Sequence, residues 1–172
     1  MKKITLTLDK ASIDKAIREV EDYEKWMQEK AKELQRRVAE EIASNAQSAF
    51  AVSVVDDLLT GGARTANVTV SIGQSDGVTL VIANGEDAIW CEFGSGIYHN
   101  TPVGTSPHPK GAEFGFTIGS FGKGFGSRKV WGFYRNGELN LTHGTQAQMP
   151  MYNAVKTVGE KIVQIAKGVF AD

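Results

Sequence analysis

Between Ala11 and Phe50 the chain carries neither Gly nor Pro. Along that stretch Ile13, Ile17 and Val20, then Met27, Ala31, Leu34, Val38, Ile42, Ala46 and Phe50 recur at three- and four-residue steps, the spacing of one face of an α-helix. Asp9 or Ser12 can cap its start by accepting from the free first-turn amides. The pattern predicts a short helix to about Asp22 and a long one to about Phe50, joined near Tyr23. At 1.5 Å per residue the second spans roughly 40 Å, more than the core of one small domain covers, so part of it is expected to pack against another subunit. The opposite face mixes Glu24, Lys25, Glu29, Glu33, Arg36, Arg37 and Glu40 and reads as a solvated surface with weak ion pairs rather than a coiled-coil seam.

Downstream the apolar period shortens to two. Val68, Val70 and Ile72 alternate with polar residues, as do Val78, Leu80 and Ile82. With Gly73 to Gly77 as the turn, this predicts a hairpin with one buried face per strand. A second turn, Asn84 to Asp87, leads into Ala88 to Phe93, where Ile89, Cys91 and Phe93 share one strand face and Trp90 and Glu92 the other. Gly94 and Gly96 end that strand and open a long loop rich in Gly, Pro, His and Phe, the kind of segment that is usually functional or disordered. Asn136-Gly137 between apolar runs predicts a last hairpin. Pro150 suits the first position of a last helix, whose apolar stripe is Met151, Ala154, Val155, Val158, Ile162, Ile165 and Val169.

The order of elements predicts an α+β fold: an antiparallel β-sheet with a long N-terminal helix and a C-terminal helix packed on one face, plus the long Gly/Pro-rich loop. The 172 residues are read as one domain, with an arm over 1–9 (Ile4, Leu6 and Leu8 alternating), helices over 10–52, sheet over 66–93 and 128–142, loop over 94–127 and the last helix over 150–170.

Composition narrows the function classes. A formal net charge of -1 argues against a strongly electrostatic nucleic-acid binder. The single cysteine excludes an internal disulfide and suits a reducing interior, with cytoplasm the default. Asp9 and Lys10 interrupt the Ile4 to Leu8 run before a signal core or membrane span forms. Cys91 with His99, His108 or His143 raises the thought of a thiol nucleophile, but a strand-interior cysteine reads as a buried structural thiol. The histidines lack metal-ligand spacing, no cofactor is expected, and the pair Asp56-Asp57 reads as a turn. Gly119 to Gly126 is not a phosphate loop, because Gly124 rather than Ser or Thr follows Lys123. Lys123, Phe125, Arg128 and Lys129, interleaved with Phe121 and Trp131, form a basic-aromatic segment able to contact DNA or a protein partner.

Two short motifs carry a family resemblance. Glu92-Phe93-Gly94-Ser95-Gly96 resembles the E-[FY]-G-[ST]-G exit from a central strand, and Gly144-Thr145-Gln146-Ala147-Gln148 followed by Pro150-Met151-Tyr152-Asn153-Ala154 resembles the Gly-Thr and P-[FM]-x-x-A entry to the last helix, both in the tail-component family of long-tailed bacteriophages and prophages. The resemblance implies a non-enzymatic structural protein of the virion, assembled in the host cytoplasm. It would form a ring, typically of six copies, joining head connector and tail or completing the tail, with the connector or tail-tube proteins and transiently the packaged DNA as partners. Glu92, Phe93, Gly94, Gly96, Gly144 and Pro150 would then set loop and helix geometry. Two other classes remain open: a small DNA-contacting protein using 121–135, and a cysteine hydrolase.

Overall fold

A computed structural model describes residues 7, 9–57, 62–96, 106–116, 131–142 and 144–171. It is an α+β structure of three helices and eight short strands among the described residues. The chain divides into two compact units, Met1–Val38 with Lys161–Asp172, and Ala39–Glu160.

The first helix, α1, runs unbroken over Lys10–Val52. The join expected near Tyr23 is absent. With no Gly or Pro to interrupt the backbone, local contacts carry the helix through: Tyr23 stacks on Trp26 at 5.5 Å, and Gln28 Nε2 donates to Glu24 Oε1 at 3.3 Å. Asp9 caps the start, its Oδ1 accepting from Ser12 N at 2.9 Å, while Ser12 Oγ accepts from Thr7 N at 2.9 Å. Within the first unit, Phe170 at the end of the last helix meets Trp26 edge to face at 5.9 Å.

The second unit holds the strands. After α1, β1 (Val54–Asp57) pairs antiparallel with β2 (Gly62–Thr65). The Asp56-Asp57 pair therefore lies in a strand, not in the expected turn, and Asp56 O and Oδ2 accept from Thr142 Oγ1 at 3.3 and 3.0 Å. Next come β3 (Thr69–Ser75) and β4 (Val78–Asn84), joined by the two residues Asp76 and Gly77. Their φ values of 51° and 77° are the left-handed pair that a tight hairpin turn requires, which Asp-Gly supplies at low cost.

That turn is shorter than the five residues expected, and the difference inverts a face. Ser75 opposes Val78, so Val70 and Ile72 share one side with Ala83 and Val81. Val78, Leu80 and Ile82 share the other with Ser75, Gly73 and Ser71. An odd shift in register exchanges faces, and the apolar sets of the two strands point to opposite sides. Val78, Leu80 and Ile82 are left exposed.

The meander expected to continue through Ala88 to Phe93 gives way to a helix, α2 (Ala88–Phe93). Asp87 sits at its start, held bidentately by Arg64 at 2.7 and 2.9 Å and by Asn67 N at 2.9 Å. With Asp87 fixed, its carbonyl accepts from Cys91 N at 2.9 Å and Trp90 O from Gly94 N at 2.8 Å. Tertiary anchoring overrides the alternation that suggested a strand.

Then β5 (Ser95–Gly96) pairs with β8 (Gly144–Thr145), and β6 (Trp131–Arg135) with β7 (Glu138–Thr142), across the Asn136-Gly137 turn. Among the described residues the strands pair as four two-stranded antiparallel ladders rather than as one continuous sheet. The last helix, α3 (Pro150–Phe170), starts at the expected proline.

Phe50, Val55, Val68 and Cys91 form the buried cluster of this unit, with Ala66, Val70, Ala83, Ala88 and Met151 packed against it. Two glutamine amides complete strand edges in the same way. Gln47 Oε1 accepts from Val70 N at 2.7 Å and its Nε2 donates to Val68 O at 3.3 Å; Gln148 does likewise to Val54 N and O at 3.0 and 2.8 Å. Each side chain mimics a strand neighbour, blunting an edge that would otherwise offer unpaired backbone groups.

Candidate functional site

The residues singled out in the two motifs converge on the start of α3. A helix begins with amides that have no partner inside it and with the positive end of its dipole. Here Glu92, near the end of α2, supplies the answer. Its Oε2 accepts from Met151 N at 2.8 Å and its Oε1 from Tyr152 N at 2.9 Å. The residue is only 7% exposed, so these charge-assisted bonds form away from competing water. Pro150 needs no such partner at its own nitrogen, and its side chain is fully buried.

The third ligand of Glu92 comes from the segment 106–116. His108 Nε2 lies 3.1 Å from Glu92 Oε1, and Lys110 N donates to His108 Nδ1 at 3.0 Å. Since Nδ1 accepts, the ring proton is on Nε2 and is donated to the carboxylate. The imidazole is buried between Phe93, at 4.5 Å between ring centres, and Tyr152, at 5.2 Å. Ser106 fixes the approach of this segment: its Oγ donates to Phe93 O at 2.5 Å and accepts from His108 N at 3.1 Å. Phe93 also stacks on Phe116 at 4.5 Å.

Gly94 and Gly144 complete the arrangement through the backbone. Gly94 adopts φ 77° and ψ 151°, and a Cβ built there would lie 2.8 Å from Ala147 N and 3.1 Å from Thr145 O. That close approach lets Ser95 and Gly96 pair with Thr145 and Gly144. Cys91 O accepts from Gln148 N at 2.8 Å and Met149 N at 3.2 Å. Segments far apart in sequence are therefore clasped by one carboxylate, one short ladder and one carbonyl. The motif residues Glu92, Phe93, Gly94, Gly96, Gly144 and Pro150 all belong to this latch. His108 and Ser106 belong to it too, although in the sequence the flanking prolines mark His108 only as a stiffened loop apex.

Lys123, Phe125, Arg128 and Lys129 lie outside the described residues, as do His99, His143 and the Ile4 to Leu6 part of the N-terminal run. Cys91 is 0% exposed, and burial, with a smaller contribution from the nearby Asp87 charge, pushes its thiol up to about 11. A nucleophile needs the opposite shift. Cys91 is expected to resist a thiol reagent at pH 8 in the native protein and to react at least about a hundredfold faster in urea; rapid native labelling would contradict this burial. Among the described residues no group of three or more His, Cys, Asp or Glu side chains is placed to hold a metal ion, and no helix is long and apolar enough to cross a membrane.

No protein-family model matches the chain, and no curated protein or solved structure is significantly similar to it.

Proposed function

We propose that the chain is a structural virion protein of a long-tailed phage or prophage, acting at the head-tail junction or tail end as a ring of copies, with connector or tail-tube proteins as partners. The observation that supports this reading is the latch. The two motifs that carry the family resemblance lie far apart in sequence, yet their residues meet at one place and serve geometry there: a helix cap, a close backbone approach and a two-residue ladder. Glu92 has its oxygens occupied by helix amides and a histidine, an arrangement suited to holding a shape. The exposed apolar side of β4 supplies a surface that a ring or tail neighbour would cover.

The test is the mass of the purified chain alone and with its tail-tube partner, together with its presence in purified particles. A ring-sized species and incorporation into particles are expected; a chain that forms no ring-sized species with the partner and is absent from particles overturns the reading. Ile82→Lys, at an exposed strand position, is expected to leave folding stability within about 0.5 kcal/mol while abolishing the ring-sized species.

A further inference from the structure

The first turns of α1 carry an apolar stripe that stays exposed among the described residues. Ile13, Ile17, Val20 and Met27 are exposed, Ile17 at 51% and Val20 at 54%, and every residue from Val20 to Lys25 is exposed. In the same stripe Lys10 precedes Ile13 by three positions, and Glu24 falls between Val20 and Met27. Positions 10, 13, 17, 20, 24 and 27 thus alternate steps of three and four, the seam spacing of two helices packed along each other.

The charges in that seam select the partner and its direction. A parallel second copy would set Lys10 against Lys10 and Glu24 against Glu24. An antiparallel copy, crossing between Ile17 and Val20, sets Ile17 of each chain against Val20 of the other. It also brings Lys10 of each within a turn of Glu24 of the other. The flanks lean the same way: Lys10, Lys15 and Arg18 outnumber Asp14 in the first half of the stretch, and Glu19, Glu21, Asp22 and Glu24 outnumber Lys25 in the second. Like charges face each other in one arrangement and opposite charges in the other.

We infer that the exposed stripe of α1, from Lys10 to Met27, binds the same stripe of a second copy of this chain in antiparallel orientation. The contact is isologous and closes on itself, so it is distinct from any heterologous interface that builds a ring. It does not depend on the proposed function, and its test uses the free chain without any virion partner.

Sedimentation of the full-length chain over a concentration series is expected to show the mass doubling, and Ile17→Asp is expected to abolish the doubling while leaving the circular dichroism unchanged, since the site is exposed. Orientation is read by cysteine cross-linking under mild oxidation, for which Cys91, being buried, gives no background. A mixture of Ile13→Cys and Glu24→Cys proteins is expected to form the mixed disulfide. Ile13→Cys alone is expected to form none, because the two copies of position 13 would lie roughly 16 Å apart along the axis. A chain that stays monomeric, a dimer that survives Ile17→Asp, or self-linking of Ile13→Cys without the mixed product each overturns the inference.

Discussion

Replacing Glu92 with alanine is expected to lower the unfolding free energy by about 3 to 6 kcal/mol, from two amide bonds to a charged acceptor at about 1.5 to 3 kcal/mol each. Met151 N and Tyr152 N would lose their partner, and both belong to the first turn of α3, where no backbone acceptor within the helix can replace it. The loss would emerge as a lower urea midpoint with little change in the slope of the transition. His108→Ala is expected to cost less, about 1 to 2 kcal/mol, because Glu92 keeps both amides. Glu92→Gln should fall between Glu92→Ala and the native chain, since only one of its terminal atoms accepts. A Glu92→Ala midpoint equal to that of His108→Ala would show that the carboxylate does not hold the start of α3, and the latch would lose its central member.

Features decided by a few adjacent residues are legible in the amino-acid sequence itself. The Asn136-Gly137 turn, the start of α3 at Pro150 and the capping role of Asp9 rest on local backbone chemistry, and each is found where it is expected. Features decided across long sequence separations are not. Ala88 to Phe93 alternates well enough for a strand, and it is helical because Asp87 is gripped by Arg64 and Asn67, twenty or more residues earlier. The β3–β4 faces depend on whether Gly73 is turn or strand, a choice that reverses every side chain on one strand. His108 shows the same limit at the site. Pro107 and Pro109 mark it as stiff, but only the folded chain brings its ring against Glu92. The motif positions stand out because their short spacing encodes local geometry; their joint role becomes visible only where α2, the 106–116 segment and α3 meet.

Gly94→Ala tests whether that meeting is as tight as these distances imply, and Gly77→Ala is its control in open space. Both glycines have φ 77°; alanine meets a positive-φ penalty of roughly 1 to 2 kcal/mol at Gly77 and a larger one at Gly94, whose ψ of 151° places it in a region that essentially only glycine occupies. At Gly77 nothing lies within 4 Å of an added Cβ, whereas at Gly94 it would meet Ala147 N at 2.8 Å and Thr145 O at 3.1 Å. Those are backbone atoms of the segment that pairs with Ser95 and Gly96, and they cannot yield without opening the ladder. Gly94→Ala is therefore expected to cost about 3 to 5 kcal/mol, combining the strained backbone region with displacement of a packed segment. Gly77→Ala should stay near the conformational penalty alone. Amide exchange should also separate the two: in Gly94→Ala, protection of Gln148 N and Met149 N, which both donate to Cys91 O, should fall by at least about tenfold relative to β3 and β4, while in Gly77→Ala it should follow the global change. Equal costs and equal exchange in the two variants would mean that the approach of Ala147 to Gly94 constrains nothing.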